Sequence, residues 1–149
     1  MVALLQRVSA AEVVATGETL GSIGTGLLIF VGVERGDDKA QADRLLDRLL
    51  GYRVFADDEG KMNRSVADIG GGLLLVPQFT LSADTSKGMR PSFTPAAEPE
   101  DGKVLFEYLV SRAGKRHHTV HAGRFGANMK VTLTNDGPVT FMLRAAPES

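Results

Sequence analysis

Gly26 opens an unbroken apolar run, Leu27 to Val33, and no other segment narrows the fold as far. It has the length of a strand rather than a helix, and its β-branched residues favour a pleated backbone. Successive side chains of a strand point to opposite faces, so a run that is apolar throughout must be covered on both. Two helices are available as cover. Asp37 or Asp38 can cap the first, in which Ala42, Leu45, Leu46, Leu49 and Leu50 recur at the helical period and Lys39, Asp43, Arg44, Asp47 and Arg48 occupy the other face. The second spans about Glu100 to Lys115, with Leu105, Leu109 and Val110 inward and Pro99 suited to the first helical position. Short strands are expected at Val2 to Val8, Glu12 to Thr16, Thr19 to Ile23, Leu73 to Val76, His118 to Ala122, Met129 to Thr134 and Val139 to Arg144. This alternation predicts a layered α/β domain with mixed or mainly antiparallel pairing.

The 149 residues make one domain, 1–149, with no low-complexity linker. A formal net charge of −1 provides no global positive field, so DNA is not expected as a partner and any RNA must be gripped locally. The absence of cysteine excludes disulfides, thiolate catalysis and cysteine-based zinc sites. Met1 to Arg7 is too short an apolar run for a signal peptide and reads as a first strand. With no spanning segment, a soluble cytoplasmic protein without a membrane partner is expected.

Conventional catalytic constellations are missing. His117, His118 and His121 gather at a strand entry but lack an evident third ligand, so no metal is expected. Asp57, Asp58 and Glu59 before Gly60 lack the alternating ligands of a calcium loop. Gly70 to Gly72 precedes a strand rather than a helix, which disfavours a phosphate cradle. What remains is Pro77-Gln78-Phe79-Thr80-Leu81, where a buried strand ends and a long loop, Ser82 to Pro99, begins. Backbone N–H groups released there can form an oxyanion hole, and Thr80 carries a hydroxyl. Lys87, Arg90 and Arg112 are the nearest basic candidates for phosphate contact. Between the last two strands, Asn135-Asp136-Gly137-Pro138 predicts a hairpin turn at which a cis X-Pro bond is plausible.

Taken together, Pro77 to Leu81 and Asn135-Asp136-Gly137-Pro138-Val139-Thr140 resemble the paired signatures of the D-aminoacyl-tRNA deacylases, Ser-Gln-Phe-Thr-Leu and Asn-x-Gly-Pro-x-Thr. Gln6-Arg7-Val8, Gly51-Tyr52-Arg53, Gly60 to Asn63, Gly88 to Phe93 and Gly123-Arg124-Phe125-Gly126 support the likeness along the whole chain. The resemblance implies a single three-layer β/β/α domain with mixed, mainly antiparallel sheets and two main helices. It implies a homodimer without cofactor or metal that hydrolyses the ester between a D-amino acid and the 3′-terminal adenosine of tRNA, and that also clears glycine from mischarged tRNA(Ala). Gln78, Phe79 and Thr80 would form the catalytic pocket floor. Gly137 and Pro138, joined by a cis bond, would reach into the partner's pocket to exclude L side chains, supported by Arg7 and Met129. Either the Thr80 hydroxyl acts as nucleophile or the substrate's ribose 2′-hydroxyl assists a water; Thr80 has no evident base, which favours the second. Two positions depart from the pattern. Pro77 replaces the usual serine at the pocket edge, as in a related deacylase that edits L-alanyl-tRNA(Thr), and Asn128 stands where aspartate is common. A non-catalytic binder of RNA ends or small ligands on the same fold is the other reading.

Overall fold

The computed structural model describes residues 1–147. In chain order the elements are β1 (Val2–Ala15), β2 (Glu18–Ile23), β3 (Gly26–Gly32), α1 (Lys39–Gly51), β4 (Phe55–Ala56), β5 (Met62–Arg64), α2 (Val66–Ile69) and β6 (Gly72–Pro77). A 3-10 turn (Phe79–Ser82), α3 (Pro99–Arg116), β7 (Val120–Ala122) and β8 (Lys130–Arg144) complete the fold. Among the described residues no helix is long and apolar enough to cross a membrane.

The principal sheet has six strands in the order β2-β1-β3-β6-β7, with β8 added along β1. Pairing is mixed: β1 runs antiparallel to β2, β3 and β8, whereas β3-β6 and β6-β7 are parallel. The two strands expected in residues 2–16 are one. β1 is continuous because Ser9, with no residue opposite it on β8, forms a bulge that bends the strand without ending it. Before the bulge β1 pairs with β3, and beyond it with β2. Thr16 and Gly17 make the turn between β1 and β2, both with positive φ (52° and 74°), as a two-residue hairpin turn of the primed type requires.

Strand alternation then sorts the apolar residues into two layers. Leu27, Ile29, Val31, Leu73 and Leu75 pack toward Leu45, Leu46 and Leu49 of α1 and Leu105, Phe106 and Leu109 of α3. Leu28, Leu74 and Val76 face the other way, onto Val8, Ala11, Val13 and Ile23 from β1 and β2. The fully apolar run is thus covered on both faces, each such side chain contributing about 1.5–3 kcal/mol. Helix α1 begins at a reciprocal cap in which Asp38 accepts from the Ala40 amide (2.9 Å) and Gln41 accepts from the Asp38 amide (2.7 Å). Pro99 occupies the start of α3, where its missing N–H is harmless.

The loop expected over Ser82 to Pro99 is more ordered than its composition suggests. It leaves the 3-10 turn, and Asp84 and Ser92 exchange backbone hydrogen bonds (2.8 and 2.9 Å). The Ala96–Glu34 bridge fastens its far end to the segment after β3. The strand expected from His118 to Ala122 likewise begins later: His117 caps α3, and β7 starts at Val120, so His121 lies in it and His118 does not.

At the start of the β3-β6 ladder two glycines face each other, and a Cβ on Gly26 would lie 2.0 Å from the Gly72 carbonyl oxygen. No side-chain rotation relieves a clash with backbone. Gly26→Ala is expected to destabilise the protein by about 3 kcal/mol or more, the upper end of overpacking costs. Gly24→Ala, with nothing within 4 Å, should stay within about 0.5 kcal/mol. Urea denaturation of the two variants checks the contrast.

Candidate functional site

Parallel strands release their carboxyl ends on one side of a sheet, and open α/β folds place their clefts there. Here a cleft of about 490 Å³ lies at the ends of β3 and β6. Val31, Val76 and Pro77 line it from the strands, Val33 from just past β3, Pro99, Gly102 and Phe106 from the start of α3, and Phe125, Ala127, Asn128 and Met129 from the segment before β8. Two glycines set its shape. A Cβ on Gly102 would come within 3.2 Å of the Phe125 ring, and one on Gly123 within 2.7 Å of the Met129 sulfur and 3.3 Å of Pro77. Met129 Sδ also accepts from the Arg124 amide (3.4 Å), which fixes it against the wall.

The floor follows from how β6 stops. Its pairing with β7 ends at Leu75 opposite Ala122, so Pro77 lies past the last rung and removes no ladder hydrogen bond. Gln78 makes the final strand contact, donating its amide to the Val31 carbonyl (2.8 Å). The chain then tightens into the 3-10 turn, in which Leu81 donates to Gln78 O and Ala83 to Thr80 O (3.1 Å each). The amides of Phe79 and Thr80 fall between these bonds, at the N-terminal end of the turn, where N–H groups have no partner within the turn. Such a pair can hold a developing oxyanion. Gln78 and Phe79 line the cleft, while Thr80 is exposed and its hydroxyl accepts from the Gln78 side-chain amide. Among the described residues no imidazole or carboxylate hydrogen-bonds that hydroxyl, so it has no base.

Asn135 to Pro138 is not a hairpin turn. β8 is a single strand antiparallel to β1, with Asn135 opposite Val8 and Thr140 opposite Gln6. Residues 136–139 therefore face Arg7 alone and bulge from the ladder. Turn chemistry in the sequence marks this excursion rather than a reversal of direction, because pairing resumes on the same neighbour. The Gly137–Pro138 bond is cis and Gly137 has φ +138°. A Cβ there would meet Val139 Cγ2 at 2.6 Å and Val139 N at 2.9 Å.

Three side chains hold the excursion. Asn135 Oδ1 accepts from the Val139 amide (3.1 Å) and Asn135 Nδ2 donates to Thr140 Oγ1 (3.0 Å). Arg7 donates through Nε to the Asp136 carbonyl (2.9 Å) and through Nη1 to the Val54 carbonyl (2.7 Å). Arg7, Gly137 and Pro138 are thus brought together, and Pro77, Gln78, Phe79 and Met129 are brought together elsewhere. Met129, expected to support the Gly-Pro pair, lines the cleft wall within one chain. The cleft lining includes neither Gly137 nor Pro138.

Of the basic candidates, Arg112 is committed to Asp43 on α1 (3.6 Å). Lys87 and Arg90 stay on the exposed loop. His117 is buried against the Gly71 carbonyl (Nε2 to O, 2.5 Å), a structural contact at the end of α3. Sequence reasoning assigned no role to Phe106, Gly102 or Phe125; the Gly123-Arg124-Phe125-Gly126 stretch was their available signal.

The D-Tyr-tRNA(Tyr) deacylase family model matches residues 4–144. A D-aminoacyl-tRNA deacylase from Thioalkalivibrio sulfidiphilus is 63% identical over 147 residues, covering 99% of each chain. The solved structure of c-Myc DNA Unwinding Element Binding Protein superposes with TM-score 0.93 at 33% identity, over 99% of this chain and 100% of that one. A probable eukaryotic D-amino acid tRNA deacylase shares the fold, with TM-score 0.77 and 17% identity over 95% of this chain and 97% of its own.

Arg7 satisfies carbonyls on two different segments through separate guanidinium nitrogens, which a point-charge ammonium cannot reproduce. Arg7→Lys is expected to cost about 1–3 kcal/mol. In hydrogen–deuterium exchange the variant's amides at Asp136, Gly137, Val139 and Thr140 should exchange faster, while those of β3 and β6 stay protected.

Proposed function

This chain belongs to the D-aminoacyl-tRNA deacylase family, and we propose that it hydrolyses the ester between a D-amino acid and the 3′-terminal adenosine of tRNA. Free amino acid and tRNA are the products. The observation that carries the reading is the pairing of an oxyanion-competent floor, the Phe79 and Thr80 amides, with a mainly apolar wall that offers no general base. An aminoacyl ester on ribose suits that wall, because a hydroxyl beside the ester can do what the protein does not supply.

In this reading a water attacks the ester carbonyl and its oxygen becomes bonded to carbon. The negative charge that develops on the carbonyl oxygen is held by the two amides. The carbon–oxygen bond to the ribose then breaks, and the proton lost by the water passes through the adjacent 2′-hydroxyl to the departing 3′-oxygen. Gln78 orients the turn through Thr80, and Thr80 contributes its backbone rather than a nucleophilic hydroxyl. No cofactor or metal enters the scheme. Glycine, which has no side chain to reject, would also be accepted, as on mischarged tRNA(Ala).

Chiral selection is assigned to the Gly137–Pro138 excursion acting in a homodimer in the cytoplasm. Within one chain it stands apart from the cleft, so it would serve the cleft of a second copy, where Met129 would meet it. Its carbonyl groups are backbone, and an L side chain would collide with them while hydrogen at the same position would not. Pro77 makes L-alanyl-tRNA(Thr) the second substrate to examine, since it withdraws a donor and a hydroxyl from the cleft edge.

Three measurements test the scheme. D-tyrosyl-tRNA should release its amino acid and L-tyrosyl-tRNA should not; absence of release from the D form would sink the enzymatic reading in favour of a binding module. Thr80→Ala should keep turnover within about tenfold, whereas a terminal 2′-deoxyadenosine should slow the reaction about a hundredfold or more, the scale of lost proton-transfer catalysis. Mixing a cleft-blocked variant, Ala127→Phe, with an excursion variant, Gly137→Val, in equal amounts should restore about a quarter of D-selective activity, because half the symmetric dimers would carry one intact composite site. No recovery in verified mixed dimers would place the gate in its own subunit.

A further inference from the structure

Two aromatic rings stand exposed beside the cleft. Phe79 is 57% and Phe93 43% exposed, and their centroids lie 5.2 Å apart with the rings inclined at 51°. Phe79 belongs to the proposed catalytic turn itself, so the pair begins at one of the two amides that would hold the reacting carbonyl. Phe93 sits just past the Asp84–Ser92 backbone clasp. Beyond that clasp the loop tip carries Lys87, Gly88 with φ +64°, Met89 at 98% exposure, and Arg90.

Many arginines outside this tip are neutralised locally, although among the described residues Lys61, Lys115 and Lys130 share with the tip the lack of an ion pair. Arg35, Arg64, Arg112, Arg116, Arg124 and Arg144 each face a carboxylate within 4.0 Å. Lys87 and Arg90 have no ion-pair partner among the described residues. Asp84, the sole carboxylate from Ala83 to Ala97, accepts from the Ser86 amide (2.9 Å). Hydrogen bonds from the Ser86 side chain and backbone hold its carboxyl below the usual range. The contribution of this Asp84–Ser86 contact is therefore fully present above the ordinary carboxylate range and is lost as pH falls through the lowered value. On a chain of net charge −1, the tip is a local positive patch joined to an exposed aromatic pair.

We propose that the Phe79–Phe93 pair and the Lys87/Arg90 tip form a platform for the unpaired RNA nucleotides preceding the terminal adenosine of the substrate. The inference rests on the aminoacyl-tRNA reading above and extends it from the ester to the strand that carries it. Aromatic faces stack on any base, and two cations spaced along a loop can follow successive phosphates without reading sequence. That combination suits an enzyme that meets a common single-stranded end on many different RNAs. It also accounts for placing apolar rings in solvent at the cleft rim.

The test uses the unacylated trinucleotide cytidine-cytidine-adenosine and, as control, adenosine monophosphate, each titrated against the intact protein over a range of salt. Trinucleotide affinity should fall with salt with a log–log slope of about −1.4, two phosphate contacts at about −0.7 each on a single strand. K87Q/R90Q should bring that slope close to zero. Phe93→Leu, which keeps an apolar side chain, should weaken trinucleotide binding about fivefold or more while leaving the monophosphate unaffected. The platform is overturned by a slope that K87Q/R90Q leaves unchanged, by equal loss of both ligands in Phe93→Leu, or by dissociation of the oligomer in Phe93→Leu, which would put the ring in a subunit contact. Failure of the catalytic reading is separately visible: no amino acid released from D-tyrosyl-tRNA by a protein that still binds the trinucleotide with the expected slope.

Discussion

The pairing of β8 with β1 is the constraint on which the candidate site depends. β1 runs through the centre of the sheet and neighbours β3, whose end lines the cleft, so the β1-β8 register sets where residues 136–139 leave the ladder. A slip by one residue would exchange the faces of the strand and carry buried Leu143 into solvent. Arg7, the residue the excursion faces, reaches across it to Asp136 and back to Val54, joining the edge strand to the segment after α1.

The cleft has a different origin. It arises because β3 and β6 end together while β7 ends earlier, leaving Pro77 and Gln78 unflanked on one side. The 3-10 turn follows at once, so strand termination and the release of two amides are one event. The proposed reaction would then need few special side chains: Gln78 braces the turn, small residues at 102 and 123 admit Phe125 and Met129, and backbone would supply the polar groups. Those two glycines are necessary through what they allow to approach, not through unusual dihedral angles.

How much of this was legible in the sequence varied with how local the cause was. α1 was readable because its apolar period and its cap lie within its own residues, and β3 because continuous apolarity can satisfy only a strand covered twice. The join of Val2 to Val8 with Glu12 to Thr16 was not readable, since a bulge at Ser9 is defined by what lies opposite it. Asn135 to Pro138 failed for the same reason: turn residues announce an interruption but not whether the chain reverses or resumes. Gln78 to Thr80 was marked by strand termination together with the resemblance of its motif, and Gln78 and Phe79 line the cleft, yet Phe106, Gly102 and Phe125 reach it only by tertiary packing. The ordering of Ser82 to Pro99 depends on the Asp84–Ser92 and Glu34–Ala96 bridges, which composition does not encode.

β8 also carries an argument about assembly. Among the described residues it pairs with β1 alone, so its 15 residues present a second edge with unpaired backbone groups. Phe141 and Met142 add apolar surface on the same strand, at 37% and 48% exposure. A long open edge of this kind is an adhesive surface unless something covers it. The proposed homodimer supplies a cover, and because the excursion is part of this strand, covering the edge would also bring Gly137 and Pro138 toward the other copy. Association and selection would then be consequences of one feature, since a proposed gate that does not line its own cleft would have use only where a second cleft is held against it.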